Sequence, residues 1–206
     1  MVCRHLETLS PSQMDQLRKE TEPYLRFRAD VADFQEKNFS KLCTQKCFQS
    51  QTSACCGREG IVTFFADVVI NRLICSNSEV EALIDALTQN HSGLNCVYLT
   101  KEGCLWRLKP IVCEMFLCDY AKETVLGQDD VLRSKWEELR RMEKRYTWPD
   151  RPVLFDRLEA LFIEAGYDSP LMYLHHSPGL LRLKARQRGS GDSRVGTPHT
   201  CPSNPA

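Results

Sequence analysis

Nine of the eleven cysteines lie between Cys43 and Cys118, and eight of them sit in two short strings. The first string, KLCTQKCFQSQTSACCGREG, holds Cys43, Cys47, Cys55 and Cys56. The second, NCVYLTKEGCLWRLKPIVCEMFLC, holds Cys96, Cys104, Cys113 and Cys118. No other feature constrains the fold as much, because clustered cysteines need disulfides, a metal or redox chemistry to account for them. Thiolates bind soft and borderline metals strongly, and four of them complete a tetrahedral site or hold an iron–sulfur cluster. The two strings are therefore expected to fold together and present thiolates to a metal, either Zn2+ or an iron–sulfur cluster. All eight cysteines are candidate ligands.

Compartment favours metal over disulfides. The N-terminus, MVCRHLETLSPSQMDQL, has no apolar core of secretory length. The most apolar stretch, IVTFFADVVINRLIC, is broken by Asp67, Asn71 and Arg72, so no membrane span is expected. A cytoplasmic chain keeps its thiols reduced, so clustered cysteines there point to metal or redox function, with metal the preferred reading. Charge is balanced at 27 basic and 27 acidic residues, so no overall field draws the chain to nucleic acid or to a membrane.

The rest of the pattern is helical. Residues 1–40 read as a helical arm, 41–120 as the cysteine domain, 121–187 as helices packed on it and 188–206 as a disordered tail. Ser10-Pro11-Ser12-Gln13 signals a capped helix start, and Pro23 is expected to interrupt or restart that helix. Tyr24, Phe27, Val31 and Phe34 share one face; Arg26, Arg28, Asp30 and Glu36 fill the other. Ile61 to Phe65 suggests a short strand, and 67–74 is ambiguous between strand and helix. Ser78-Glu79-Val80-Glu81 reads as a capping box leading into a stripe of Val80, Leu83, Ile84 and Leu87. CVYL and CLWRL flank TKEG as a β-hairpin near 96–108, and Pro110 can open a short helix carrying Cys113.

Downstream, Leu132, Trp136, Leu139, Met142 and Tyr146 mark a long helix. Arg133–Glu137 and Glu137–Arg141 on it are spaced for ion pairs. After a turn at Trp148-Pro149-Asp150, a last helix from about Pro152 to Ala165 points Leu154, Leu158, Leu161 and Phe162 inward and ends at Gly166. The fold expected is mainly α, with one small hairpin and a cysteine-cluster metal site.

Within the strings, Cys43 and Cys47 are four apart, which places both sulfurs on one helix face. Cys55 and Cys56 are adjacent, so their side chains diverge; they can serve two metals, or one can be a ligand and the other core. A hairpin pairing Leu99 with Cys104 puts Cys96 and Cys104 on opposite faces. Pairing Tyr98 with Cys104 puts them on the same face, and a shared site prefers that register. Cys75 reads as a buried small hydrophobe, Cys3 and Cys201 as spectators in flexible termini, and His175-His176 as surface or core. The spacings contain no C-x2-C-x2-C-x3-C ferredoxin run, no P-loop, no G-x-G-x-x-G and no H-E-x-x-H.

The second string resembles the signature of the CxxCxxCC, or YkgJ-like, cysteine-cluster family of zinc- or iron-chelating proteins. Cys96, Tyr98 and Leu99 fit its cysteine, aromatic and leucine. Cys104 and Trp106 fit its second cysteine and aromatic. Lys109-Pro110-Ile111-Val112-Cys113 fits an Arg-Pro-x-x-Cys element, with lysine in place of arginine, and Cys118 closes the motif. Upstream, Cys55-Cys56-Gly57 resembles the family's double cysteine, although the spacing is C-x3-C-x7-CC. The resemblance spans about residues 43–118 and implies a zinc or iron ligand set among these cysteines. The first reading of function is a cytosolic metal-binding protein with a structural, storage or electron-transfer role. One branch of the family contains flagellin lysine methylases, which implies the alternative of a cluster-dependent protein-lysine methyltransferase. A third reading is a helical interaction protein stapled by metal.

Overall fold

The computed structural model describes residues 1–50, 53, 55–57, 62–89, 93–147 and 153–173. Within them the chain is mainly helical, as expected: α1 (Val2–Thr8), α2 (Pro11–Phe39), α3 (Phe65–Ile74), α4 (Asn77–Thr88), α5 (Ile111–Glu114), α6 (Asp119–Ala121), α7 (Asp130–Thr147) and α8 (Leu154–Glu164). Two π-helical stretches, π1 (Ser40–Phe48) and π2 (Lys122–Leu126), continue α2 and α6. The expectations at Trp148-Pro149-Asp150, Pro152, His175-His176, Cys201 and the tail fall outside the described residues.

α2 is the spine. Ser10 caps it by accepting from the Gln13 N–H at 3.3 Å, and the Gln13 side chain accepts from the Ser10 N–H at 2.9 Å. Contrary to expectation, Pro23 does not break it. The carbonyl that loses its partner there, four residues back, is that of exposed Lys19, which water can satisfy. The stripe of Tyr24, Phe27, Val31 and Phe34 is buried as the pattern requires. It meets α7 and α8: the Tyr24 ring lies edge-on to Phe155 at 5.5 Å, Phe27 stacks on Tyr146 at 5.4 Å, and Phe34 stacks on Trp136 at 5.9 Å.

α3 packs against α8 and α1. The expected strand at Ile61–Phe65 does not form within the described residues: 62–64 are irregular and Phe65 opens α3. Asp67 decides this locally, because its Oδ2 accepts from the Phe64 N–H at 3.0 Å and satisfies a donor at the start of the helix. α4 begins two residues before the expected box. Ser76 is its cap and accepts from the Glu79 N–H at 3.3 Å, while Glu79 accepts from the Ser76 N–H at 2.7 Å. Its apolar stripe is not buried: Ala86 is the buried residue of α4, while Ile84 is 44% and Leu87 64% exposed.

α7 buries Trp136 and Leu139 and α8 buries Leu154, Phe155, Leu158, Phe162 and Ile163, largely as the periodicity predicts. The ion pairs on α7 differ. Arg133 pairs with Asp130 at 2.5 Å and Lys135 with Glu138 at 2.8 Å, both three apart rather than four. One apolar core runs from Val2 to Met172, and a smaller one gathers Ala86, Tyr98 and Trp106. No helix among the described residues is long and apolar enough to cross a membrane.

Candidate metal centre

The first string enters as π1, whose end is tied to the double cysteine through Ser53. The Ser53 N–H donates to the Cys47 carbonyl at 3.2 Å, and the Ser53 carbonyl accepts from the Cys56 N–H at 2.9 Å. The second string is then joined to the first by the main chain. The Cys96 N–H donates to the Cys56 carbonyl at 2.7 Å, and Gly57 bridges Asn95. Convergence of the two strings is thus built into the backbone.

The expected β-hairpin is not present: no strand forms among the described residues. What remains of it is a tight turn. Thr100 and Gly103 exchange N–H···O contacts at 2.8 and 3.3 Å, and a single bridge pairs Leu99 with Cys104. Gly103 takes φ +127, which only glycine adopts freely. This is the register expected to separate Cys96 from Cys104, yet both line the same cavity. The alternation rule fails because the chain before the bridge turns rather than extends, with the Leu99 N–H donating to the Cys96 carbonyl at 3.0 Å. A run this short, with one edge on α4 and the other on the cysteine cavity, gains more from seating Tyr98 and Trp106 than from a ladder.

That cavity has a volume of about 390 Å3, and six of the eight candidate cysteines line it: Cys43, Cys55, Cys56, Cys96, Cys104 and Cys113. Cys47 and Cys118 are not part of the wall, but both lie within electrostatic reach of the Cys43 sulfur. All eight are free thiols; Cys55 and Cys113 are exposed and the other six half-buried. Among the described residues, no three His, Cys, Asp or Glu side chains stand close enough together to hold a metal ion in this conformation. The structure collects six of the thiols around one space without closing them on a point.

Cys75 is buried elsewhere, its Sγ 3.7 Å from Asn71 Oδ1, as its apolar neighbours suggest. Cys3 belongs to α1, whose Val2 and Leu6 are buried, and is disulfide-bonded; it is not a spectator in a loose terminus.

The thiols influence each other in two overlapping sets. Cys43 is pushed up by burial and then by Cys55, Cys118 and Cys47. Cys113 is pushed up by burial and then by Cys96 and Cys104, and Cys104 by burial with a smaller push from Cys96. The adjacent pair links the sets. The Cys56 thiol donates to the Cys55 sulfur, which lowers Cys55 to about 6 and raises Cys56, with burial, Cys104 and Cys96 pushing Cys56 the same way. The Lys109 cation works against the rise at Cys43 and Cys104 and adds to the lowering of Cys55.

The residues that hold this site were not visible as such in the pattern. The irregular residues Leu108–Pro110 and the first turn of α5 that follows them are gripped by side chains of α2 and α3. Asn71 donates to the Leu108 carbonyl at 2.9 Å and accepts from the Leu108 N–H at 3.0 Å. Asp67 accepts from the Ile111 N–H at 3.1 Å. Arg28, expected on the polar face, is 2% exposed. It donates to the Lys109 carbonyl at 2.6 Å and to the Tyr24 hydroxyl at 2.8 Å, and faces the Glu114 carboxylate at 3.9 Å. Lys109 approaches the same carboxylate at 3.6 Å, and Gln35 donates to the Glu114 carbonyl. The signal was there to read: Arg28 occupies the i+4 position of the apolar stripe begun by Tyr24, and Asp67 and Asn71 are four apart in an otherwise apolar helix. Buried polar side chains need partners, and backbone without regular structure supplies them.

Compared with protein-family models, with curated proteins and with solved structures, the chain finds no match.

Proposed function

We propose that the chain is a thiolate metal-binding protein, its cysteines holding zinc or an iron–sulfur cluster in a structural, storage or electron-transfer role, in keeping with the resemblance of the second string to the YkgJ-like family. The observation that carries this reading is the arrival of six free cysteines from separate segments at one cavity. The donor set suits the group in kind and number. Burial and crowding both disfavour thiolates there, and a soft cation relieves both. The mutual influence of the sulfurs supports two ligand groups that meet at the double cysteine: Cys43, Cys47, Cys55 and Cys118 in one, Cys56, Cys96, Cys104 and Cys113 in the other. Binding draws each group inward from the open arrangement described above. When bound, the metal supplies positive charge among the sulfurs; Arg28, Asp67 and Asn71 keep the Lys109–Cys113 segment in place for it.

The test is anaerobic purification with iron, zinc and acid-labile sulfide quantified per chain, for the parent and for single Cys→Ser variants. Loss of Cys104 or Cys113 should lower bound metal sharply, while Cys75→Ser should leave it unchanged. Full retention of metal in both the Cys104 and Cys113 variants would refute the assignment.

A further inference from the structure

A larger cavity, about 980 Å3, lies between α1, α3 and α4. Tyr98 and Trp106 belong to its wall and to the wall of the cysteine cavity, so one aromatic pair separates the two spaces. Its α4 side is Val80, Leu83, Ile84 and Leu87, the apolar stripe that the core does not cover. An amphipathic helix ordinarily buries its stripe. Here Ile84 and Leu87 remain 44% and 64% exposed, and the stripe faces a space of the size that small-molecule sites occupy.

The polar groups of this wall are not neutral. Arg4 and Arg72 line it with a single carboxylate, that of Glu7, and no carboxylate among the described residues lies within ion-pair distance of either arginine. Two buried donors on its lining residues, Arg72 Nε and Trp106 Nε1, also have no partner. Buried donors are rarely left unmet, and guanidinium donors suit a carboxylate. Apolar surface and two arginines without a carboxylate partner among the described residues, in one cavity, describe the complement of an anionic amphiphile.

We propose that this cavity binds a free, single-chain aliphatic carboxylate, its chain along the α4 stripe and its head at Arg72. The assignment does not depend on the cysteine centre being metallated.

The test is calorimetric titration of the full-length chain with dodecanoate below its micelle-forming concentration. Saturable 1:1 binding is expected, at least tenfold tighter than binding of dodecyltrimethylammonium. Arg72→Gln should weaken it at least tenfold, Arg72→Lys should recover part of that loss, and Leu83→Glu should abolish it, each variant being checked for parental helicity and cooperative melting. Three results would overturn the proposal. One is no heat with dodecanoate, whether or not the chain self-associates through α4 or sediments with anionic phospholipid vesicles. Another is equal affinity for the cationic amphiphile. The third is unchanged binding in folded Arg72→Gln and Leu83→Glu variants.

Discussion

Replacing Asn71 by leucine removes the side chain that grips the second cysteine string at Leu108. The side chain is 2% exposed, and leucine keeps its branching at Cγ with greater bulk, so the packing of α3 should survive at a modest overpacking cost. The main loss is the pair of contacts to Leu108, one at 2.9 Å and one at 3.0 Å; the contacts with the Asp67 carbonyl at 2.9 Å and the Cys75 thiol at 3.7 Å, both within α3 and its cap, go with them. Each contact of the main pair, once lost, leaves a backbone group of Leu108 without its partner, and an unmet buried group costs about 1–3 kcal/mol. Leu108 is half-buried, so water recovers part of this, and the expected loss is about 2–4 kcal/mol for the two groups together. Urea unfolding followed by far-ultraviolet circular dichroism reads it as a midpoint lowered by roughly 1–2 M, at a slope of about 2 kcal/mol per molar. Bound metal per chain should fall in parallel, because Cys113 lies a few residues along the released segment. Asn71→Asp should do as much harm: it keeps an acceptor for the Leu108 N–H but turns an oxygen toward the Leu108 carbonyl. A loss below about 0.5 kcal/mol in either variant would refute the reasoning, since that is the range of surface substitutions without such partners.

Arg28→Met should destabilise by about 3 kcal/mol, the lower end for breaking a buried charge pair, because Lys109 stays beside Glu114 at 3.6 Å; a neutral effect in thermal melts would show that Arg28 is not a clamp. Burial holds the Asp67 carboxyl up at about 6, against hydrogen bonds from Phe64 and Ile111 that act the other way. The folded state then binds this proton more tightly than the unfolded one, so its contribution is full below the ordinary carboxylate range near 4 and is lost as pH rises through 6. Relative to Asp67→Asn, the parent should lose about 3 kcal/mol between pH 4 and pH 7.5 in urea titrations, and a pH-independent difference would contradict this. Chelation of the metal should lower the melting temperature, since the ligands come from distant segments and the binding energy counts toward folding; no change after complete removal would argue against the centre.

The helical core was legible because its signal is periodic and local. Tyr24, Phe27, Val31 and Phe34 on α2, Trp136 and Leu139 on α7, and Leu158 and Phe162 on α8 went to the interior as the 3.6-residue repeat requires. Misreadings arose where tertiary partners outweighed local preference. Leu99 and Cys104 pair once and no more, because Tyr98 and Trp106 are drawn onto α4. Arg28 looked like a surface residue because its partners, Lys109 and Glu114, lie about eighty positions away. The Val80–Leu87 stripe was read correctly as apolar, but periodicity cannot say whether such a stripe meets core or an open cavity. The cysteines, by contrast, were identified by type alone, and their convergence rests on backbone bonds such as that of Cys96 to Cys56 which no spacing rule predicts.

These two kinds of support have different consequences for what a bound metal would do. The α2, α3, α7 and α8 core is built from aromatic contacts that owe nothing to the thiols, such as Phe65 against Phe162 at 5.0 Å. The second string lends Tyr98, Trp106, Ile111 and Leu117 to the cores, but its cysteine-bearing turns are positioned by the Arg28, Asp67 and Asn71 contacts. A metal whose only role was to staple the chain would be expected where the core is weakest, and the cysteine cavity lies at such a place, between π1 and the Leu108–Glu114 segment. The polar clamp, however, already fixes one side of that gap before any ligand arrives. A segment held in this way brings its sulfurs to the cavity at lower entropic cost, which favours a centre that can lose and regain its metal without unfolding the rest. Amide exchange should therefore separate the two on chelation. Protection should fall across residues 93–107, which have no clamp, and should persist at Leu108 and Ile111, whose N–H groups Asn71 and Asp67 hold directly.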